Sequence, residues 1–300
     1  IETAVGQWTE TEQELRQALR YARECGDLRE ETLVLDTLGR FYIKIGDYRS
    51  AEQTLAASEE IEREQQHYWW RNWVTAHYVG AMKMEMGDLA SALPILAEAS
   101  EQLGRVGHLV YEVRARCDLG FVHHLGGDDR QALSLLNDAL AMMERLGELR
   151  FEALVNTRIG YLLEAGGRSD EAYALYERSR ELQVQMGQHY LATNALAGIA
   201  RIERRRGQHD GALDHAATIW NTIGGQEADA SIETARTLRT CYTIFDAHSD
   251  PRAAAVLAMA WQQLQRRVST IDDPDRAEQF WRLDDHRFFR DIRFLMEGVQ

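Results

Sequence analysis

Few residues of this 300-residue chain are placed to do covalent chemistry. His123-His124 is its only adjacent histidine pair. Neighbouring residues of a helix face different ways, so the two imidazoles do not ligate one metal, which needs several convergent ligands. Cys117 and His124 lie seven positions apart. On a helix that is about 10 Å, beyond the contact a thiolate–imidazole pair requires. No Gly-x-x-x-x-Gly-Lys phosphate loop is present, and no strand pattern exists to carry one. No acid, base and nucleophile converge, so the sequence points to recognition and away from an enzyme, and it calls for no cofactor or metal. The cluster Tyr68-Trp69-Trp70-Arg71-Asn72-Trp73 holds three of the seven tryptophans. Trp69 and Trp73 share a helix face, as do Trp70 and Trp73. They suit packing at a repeat junction or a binding platform, since large aromatics serve in both roles.

The elements that must position such residues follow a long period. Gly46-Asp47-Tyr48-Arg49-Ser50-Ala51 returns as Gly87 to Ala92, Gly127 to Ala132 and Gly167 to Ala172, with weaker copies at Gly207 to Ala212 and His248 to Ala253. An earlier copy runs from Gly6 to Thr11, and successive copies are 40 or 41 residues apart. A period of this size marks a solenoid. The glycine ends one helix in the left-handed conformation, and the polar residue after it caps the next. Seven residues before each phrase stands a small residue: Gly39, Gly80, Gly120, Gly160, Ala200 and Cys241. Large residues such as Leu55, Leu96, Leu136 and Tyr176 follow each alanine by four. The pattern predicts helix pairs near 29–45 with 49–65, 69–86 with 89–106, 109–125 with 129–146, 149–165 with 169–186, 189–206 with 209–224, and 229–246 with 251–270. It predicts no sheet, because nowhere does the period become two.

Leu38-Gly39, Tyr42, Gly46-Asp47-Tyr48, Ala51, Leu55 and Ser58 resemble the tetratricopeptide repeat (TPR) consensus, in register over nearly the whole chain, with the period stretched by longer helices. Arg116 and Asn156 depart from it where a bulky apolar residue is expected. The resemblance implies an all-α, right-handed superhelix of about six and a half repeats, beginning mid-repeat and occupying residues 1–270. It further implies that the first helix of each pair lines a concave groove. Carried over position by position, that groove presents Arg40; His77 and Tyr78; Arg114, Asp118, Phe121 and His124; Arg158 and Tyr161; Asn194, Arg201 and Arg204; and Arg239 and Tyr242. Two readings are open. The arginines pair with acidic neighbours, or they wait, with the aromatics, for a protein, a peptide or an anionic small ligand. Under the second reading Arg158 stands exposed and tolerates alanine. Trp69, Trp70 and Trp73 are the second candidate surface.

After Thr270 the pattern changes. Asp273-Pro274-Asp275-Arg276, Phe280-Trp281, His286-Arg287 and Ile292 resemble the segment that closes TPR arrays in bacterial signal-transduction (STAND) NTPases, including relatives of the maltotriose-activated transcription activator. Residues 271–300 are expected to form capping helices, with Phe280, Trp281, Phe288, Phe289 and Ile292 covering the face left by the 229–270 pair. The resemblance implies a sensor array belonging to a larger polypeptide with an upstream NTPase domain. The alternative is a constitutive scaffold that holds an extended segment. The start at Ile1, inside a repeat, reads as a fragment of a longer protein.

The formal charge is −14, from 34 basic and 48 acidic residues. This argues against a nucleic-acid-binding surface over the whole molecule and suits a soluble, extended solenoid. Three scattered cysteines imply no disulfide framework and suit a reducing cytoplasm. No run of apolar residues is long enough to span a bilayer.

Overall fold

The computed structural model describes residues 8–64, 71–224 and 231–297. Those residues form fifteen helices and no strand. In order they are α1 (Trp8–Cys25), α2 (Leu28–Ile45), α3 (Tyr48–Glu64), α4 (Arg71–Glu85), α5 (Leu89–Arg105), α6 (Leu109–Leu125), α7 (Asp129–Leu146), α8 (Leu149–Ala165), α9 (Ser169–Gln185) and α10 (His189–Arg205). They continue as α11 (His209–Ile223), α12 (Ile232–Ala247), α13 (Arg252–Val268), α14 (Pro274–Arg282) and α15 (Asp284–Glu297). The helix pairs expected from the period are present, with boundaries within about three residues, although the starts expected at 69 and 229 lie outside the described residues.

The Gly-Asp phrase works as a paired stop and start. Gly46 has φ of 77°, a conformation nearly free only for glycine, and the Asp47 N–H reaches back to the Tyr42 carbonyl at 2.9 Å. The Asp47 carboxylate then accepts from the Ser50 N–H at 3.1 Å, capping α3. Asp27, Asp88 and Asp128 cap α2, α5 and α7 in the same way. Where Glu148, Arg168, Gln188 and Gln208 stand instead, no side-chain cap forms.

Helix pairs close through the small residues. A methyl group on Gly39 would lie 2.5 Å from Leu55, on Gly80 2.6 Å from Leu96, and on Gly160 2.5 Å from the Tyr176 ring. Ala51, Ala92, Ala132 and Ala172 are fully buried. Of the two departures from consensus, Arg116 is held by Glu112 of its own helix at 2.7 Å, and Asn156 is buried.

The chain forms two compact units. The first contains the described residues through Leu119 together with Gln265–Arg282. The second contains residues from Gly120 through α11, then Ile232–Leu264, and the residues from Leu283 onward. The boundary drawn at residue 270 falls within the last segment of the first unit. The five residues expected over the 229–270 pair, four aromatics and Ile292, do not all go there. Phe288 and Phe289 meet Tyr242 of α12, with ring centroids 5.8 and 6.4 Å away. Phe280 is instead fully buried in the first unit, edge-on to Tyr48 of α3. The reason is a clasp on α3. Arg267 is 1% exposed and donates to the Tyr48 hydroxyl at 3.0 Å and to Glu85 at 3.1 Å, while Thr270 accepts from the Tyr48 N–H at 3.1 Å.

Candidate functional site

In the first unit, α4 and α6 bring together His77, Tyr78, Arg114 and Asp118. Tyr111, one turn before Arg114 on α6, joins them, and the groove positions had not nominated it. The Tyr78 hydroxyl donates to that of Tyr111 at 3.3 Å, and the two rings stand edge to face. The Arg114 guanidinium lies 5.6 Å from the Tyr78 ring and 5.4 Å from the Tyr111 ring, within cation–π range. Burial, then the neighbouring Tyr78, pushes the Tyr111 phenol up to about 12, against the pull of Arg114 and Arg40. Arg40 is half-buried and makes no ion pair among the described residues. His77 is 1% exposed, and its Nε2 lies 2.8 Å from the Asp118 carboxylate, so this pair ties α4 to α6.

In the second unit most of the nominated cations have internal partners. Arg158 is 4% exposed, donates to Glu233 at 3.0 Å and lies 4.6 Å above the Phe121 ring. The exposed position expected for it is thus a buried one. Arg201 grips Glu164 with two bonds, of 2.9 and 2.8 Å, and reaches Thr240 at 2.9 Å. Glu164 also accepts from the Tyr176 hydroxyl at 2.7 Å and pairs with Arg205 at 2.9 Å. Burial alone would raise its pKa, but the opposing charges of Arg201 and Arg205 bring it down to about 2. Arg239 donates to Asp285 of α15 at 3.1 Å and stacks on Phe288, and Tyr242 packs on Phe288 and Phe289.

The remaining nominated residues are more varied. Tyr161 is buried between Arg236, 4.4 Å from its ring, and Arg201, 5.7 Å away. Asn194 accepts from Thr237 at 2.9 Å. His124 sits 2.6 Å from Asp129 and beside Phe121, and Arg204 is exposed. Of the tryptophan cluster, Trp69 and Trp70 lie outside the described residues. Trp73 is half-buried, and its indole N–H makes no hydrogen bond.

Arg158, Arg201 and Arg239 thus each pair with an internal acid. The partners are 75, 37 and 46 residues away in sequence. Their identity depends on which helices become neighbours. Among the described residues no group of three His, Cys, Asp or Glu side chains could hold a metal ion, and no helix is long and apolar enough to cross a membrane.

The repeat geometry agrees with the comparison to known families, in which residues 74–145 match the model of the tetratricopeptide repeat. The helix pairs have a TPR-like repeat fold, and the family match itself covers residues 74–145. No curated protein sequence matches the chain. Among solved structures, a Rap protein complexed with competence and sporulation factor is similar at a TM-score of 0.62 and 13% identity, covering 94% of this chain and 79% of that one. NprR in complex with its cognate peptide NprX is similar at 0.58 and 13%, covering 96% and 84%. A STAND protein with a TPR sensor from Pyrococcus horikoshii is similar at 0.59 and 13%, and the match covers 95% of this chain and 45% of that one. At these identities the likeness is one of TPR fold.

Proposed function

We propose that this TPR array is a recognition module that takes an acidic or carboxylate-terminated peptide on the α2–α4–α6 face of its first unit. One observation carries the reading: the Arg114 guanidinium lies over the Tyr78–Tyr111 pair, with Arg40 of α2 a cation that makes no ion pair among the described residues. Guanidinium groups bind carboxylates in a two-pronged way, and the tyrosine rings offer apolar surface beside them. The similarly folded NprR, in complex with its cognate peptide NprX, supports a peptide ligand. The further expectation is that the array serves as the sensor of a STAND-type regulator in the cytoplasm, where the ligand shifts the parent protein by binding one of its states better. A constitutive scaffold is the alternative. An NTPase domain upstream in the full-length gene product separates the two.

The site is tested with fluorescein-labelled Asp/Glu-rich peptides, with free and amidated C-termini, by fluorescence anisotropy. Arg40→Ala and Arg114→Ala should each weaken binding by roughly tenfold or more, the loss of a charged hydrogen bond worth about 1.5–3 kcal/mol. Unchanged affinity in both folded variants removes the site from this face.

A further inference from the structure

A cavity of about 460 Å³ opens in the first unit between the α1–α2 turn and the facing ends of α3 and α4. Its wall includes Cys25, Asp27, Arg29, Thr32, Glu62 and Arg71. Glu62 is 4% exposed, yet neither of its carboxylate oxygens accepts a hydrogen bond. Leaving buried acceptors unsatisfied is costly, and a native site that does so calls for an explanation.

The surrounding groups show what is missing. The Thr75 hydroxyl has one proton and gives it to Asp36 at 2.9 Å, as does Ser58. Arg71 also favours Asp36, at 3.1 Å against 3.6 Å for Glu62. One half-buried cation thus serves two buried carboxylates, and the second is short of both charge and donors. Asp27 and Arg29, both exposed at the rim, carry opposite charges and do not alter that balance. The cavity is far larger than one water, whose share of liquid volume is about 30 Å³. It falls in the size range of small-ligand sites.

We propose that this cavity binds the primary ammonium group of a small ligand, with Glu62 as its counter-ion. An ammonium group brings the missing positive charge and three donors on a compact head, which suits two buried oxygens. The empty site has the opposite tendency. Burial, followed by the charge of Asp36, pushes Glu62 up to about 7, with Glu59 adding to the push and Thr75 and Arg71 opposing it. A bound ammonium favours the ionised form, so binding releases a proton when it occurs below that value.

The probes are n-pentylamine and 1,5-diaminopentane, with 1-pentanol as the uncharged control, titrated by calorimetry into the whole chain. The expected result is one site that binds the amines and not the alcohol, and binds them about thirtyfold more weakly near pH 5.5 than near pH 8. Glu62→Gln, with its melting curve unchanged, should weaken amine binding at least about tenfold. Should that variant fold poorly, Leu28→Trp, at another residue of the cavity wall, keeps Glu62 but narrows the cavity, and it should weaken binding. Amines that bind the folded Glu62→Gln chain as they bind the wild type overturn the proposal. So does equal binding of pentanol, undiminished binding to Leu28→Trp, or no binding at amine concentrations up to about 50 mM. Acidic-peptide binding at Arg40 and Arg114 is read separately, so either site can fail alone.

Discussion

Replacing Arg158 with alanine distinguishes a ligand-facing arginine from a structural one. Its side chain is 5% exposed and its partner Glu233 11% exposed, with 3.0 Å between them. Truncation leaves a carboxylate in a poorly hydrated site without its counter-charge. Breaking a buried pair from one side typically costs about 3–5 kcal/mol, and the lost stacking on Phe121 adds about 1 kcal/mol. An exposed arginine on a helix would cost almost nothing on the same change. The assay is urea unfolding followed by far-ultraviolet circular dichroism, with the denaturant slope checked for changes in cooperativity. Arg158→Met combined with Glu233→Leu removes both charges and should recover most of the loss, because a well-packed apolar pair is often as stable as a buried ion pair. A loss below about 1 kcal/mol for Arg158→Ala would refute the buried-pair account and return the residue to the list of ligand contacts.

Three further outcomes are expected. Gly160→Ala gains about 1 kcal/mol of helix propensity, but its methyl group would sit 2.5 Å from the Tyr176 ring; overpacking costs about 1–3 kcal/mol, so the melting temperature should fall, and a rise would show that the pair can separate. Thiol titration of the native chain should find Cys25 fast, since it is exposed, and Cys117 and Cys241 reactive only after unfolding, with burial holding the Cys241 thiol up at about 12; three fast thiols would contradict the packing. Glu164 is depressed to about 2 from 4.5, so its contribution to stability is present above about pH 4.5 and disappears as the pH falls toward about 2; Glu164→Gln should flatten the acid limb of the stability curve, and an unchanged limb would place the acid sensitivity elsewhere.

Part of the candidate site was readable because solenoid position is local. His77, Tyr78 and Arg114 were nominated from their distance to Gly80 and Gly120, and they do meet between α4 and α6. Tyr111 was missed because it lies one turn nearer the start of α6 than the positions the repeat register marks. Arg236 and Asp285 were missed for another reason. Asp285 belongs to α15, which lies outside the repeat, and nothing in its local sequence shows that it will face Arg236 and Arg239 at 3.3 and 3.1 Å.

The sequence by itself determined the helices, their turns and their pairing. Left-handed glycines, aspartate caps and small residues set opposite large ones act within about twenty residues of one another, so their effects are present in any window of the chain. Only the tertiary structure decided which charges stay available. Glu233, Glu164 and Asp285 neutralise Arg158, Arg201 and Arg239 from other repeats or from the last helix. Arg267 closes on Tyr48 across 219 residues. Glu62 is left beside a cavity because Thr75, Ser58 and most of Arg71 are given to Asp36. Pairing depends on distance and burial after packing, and residue type at a repeat position specifies neither.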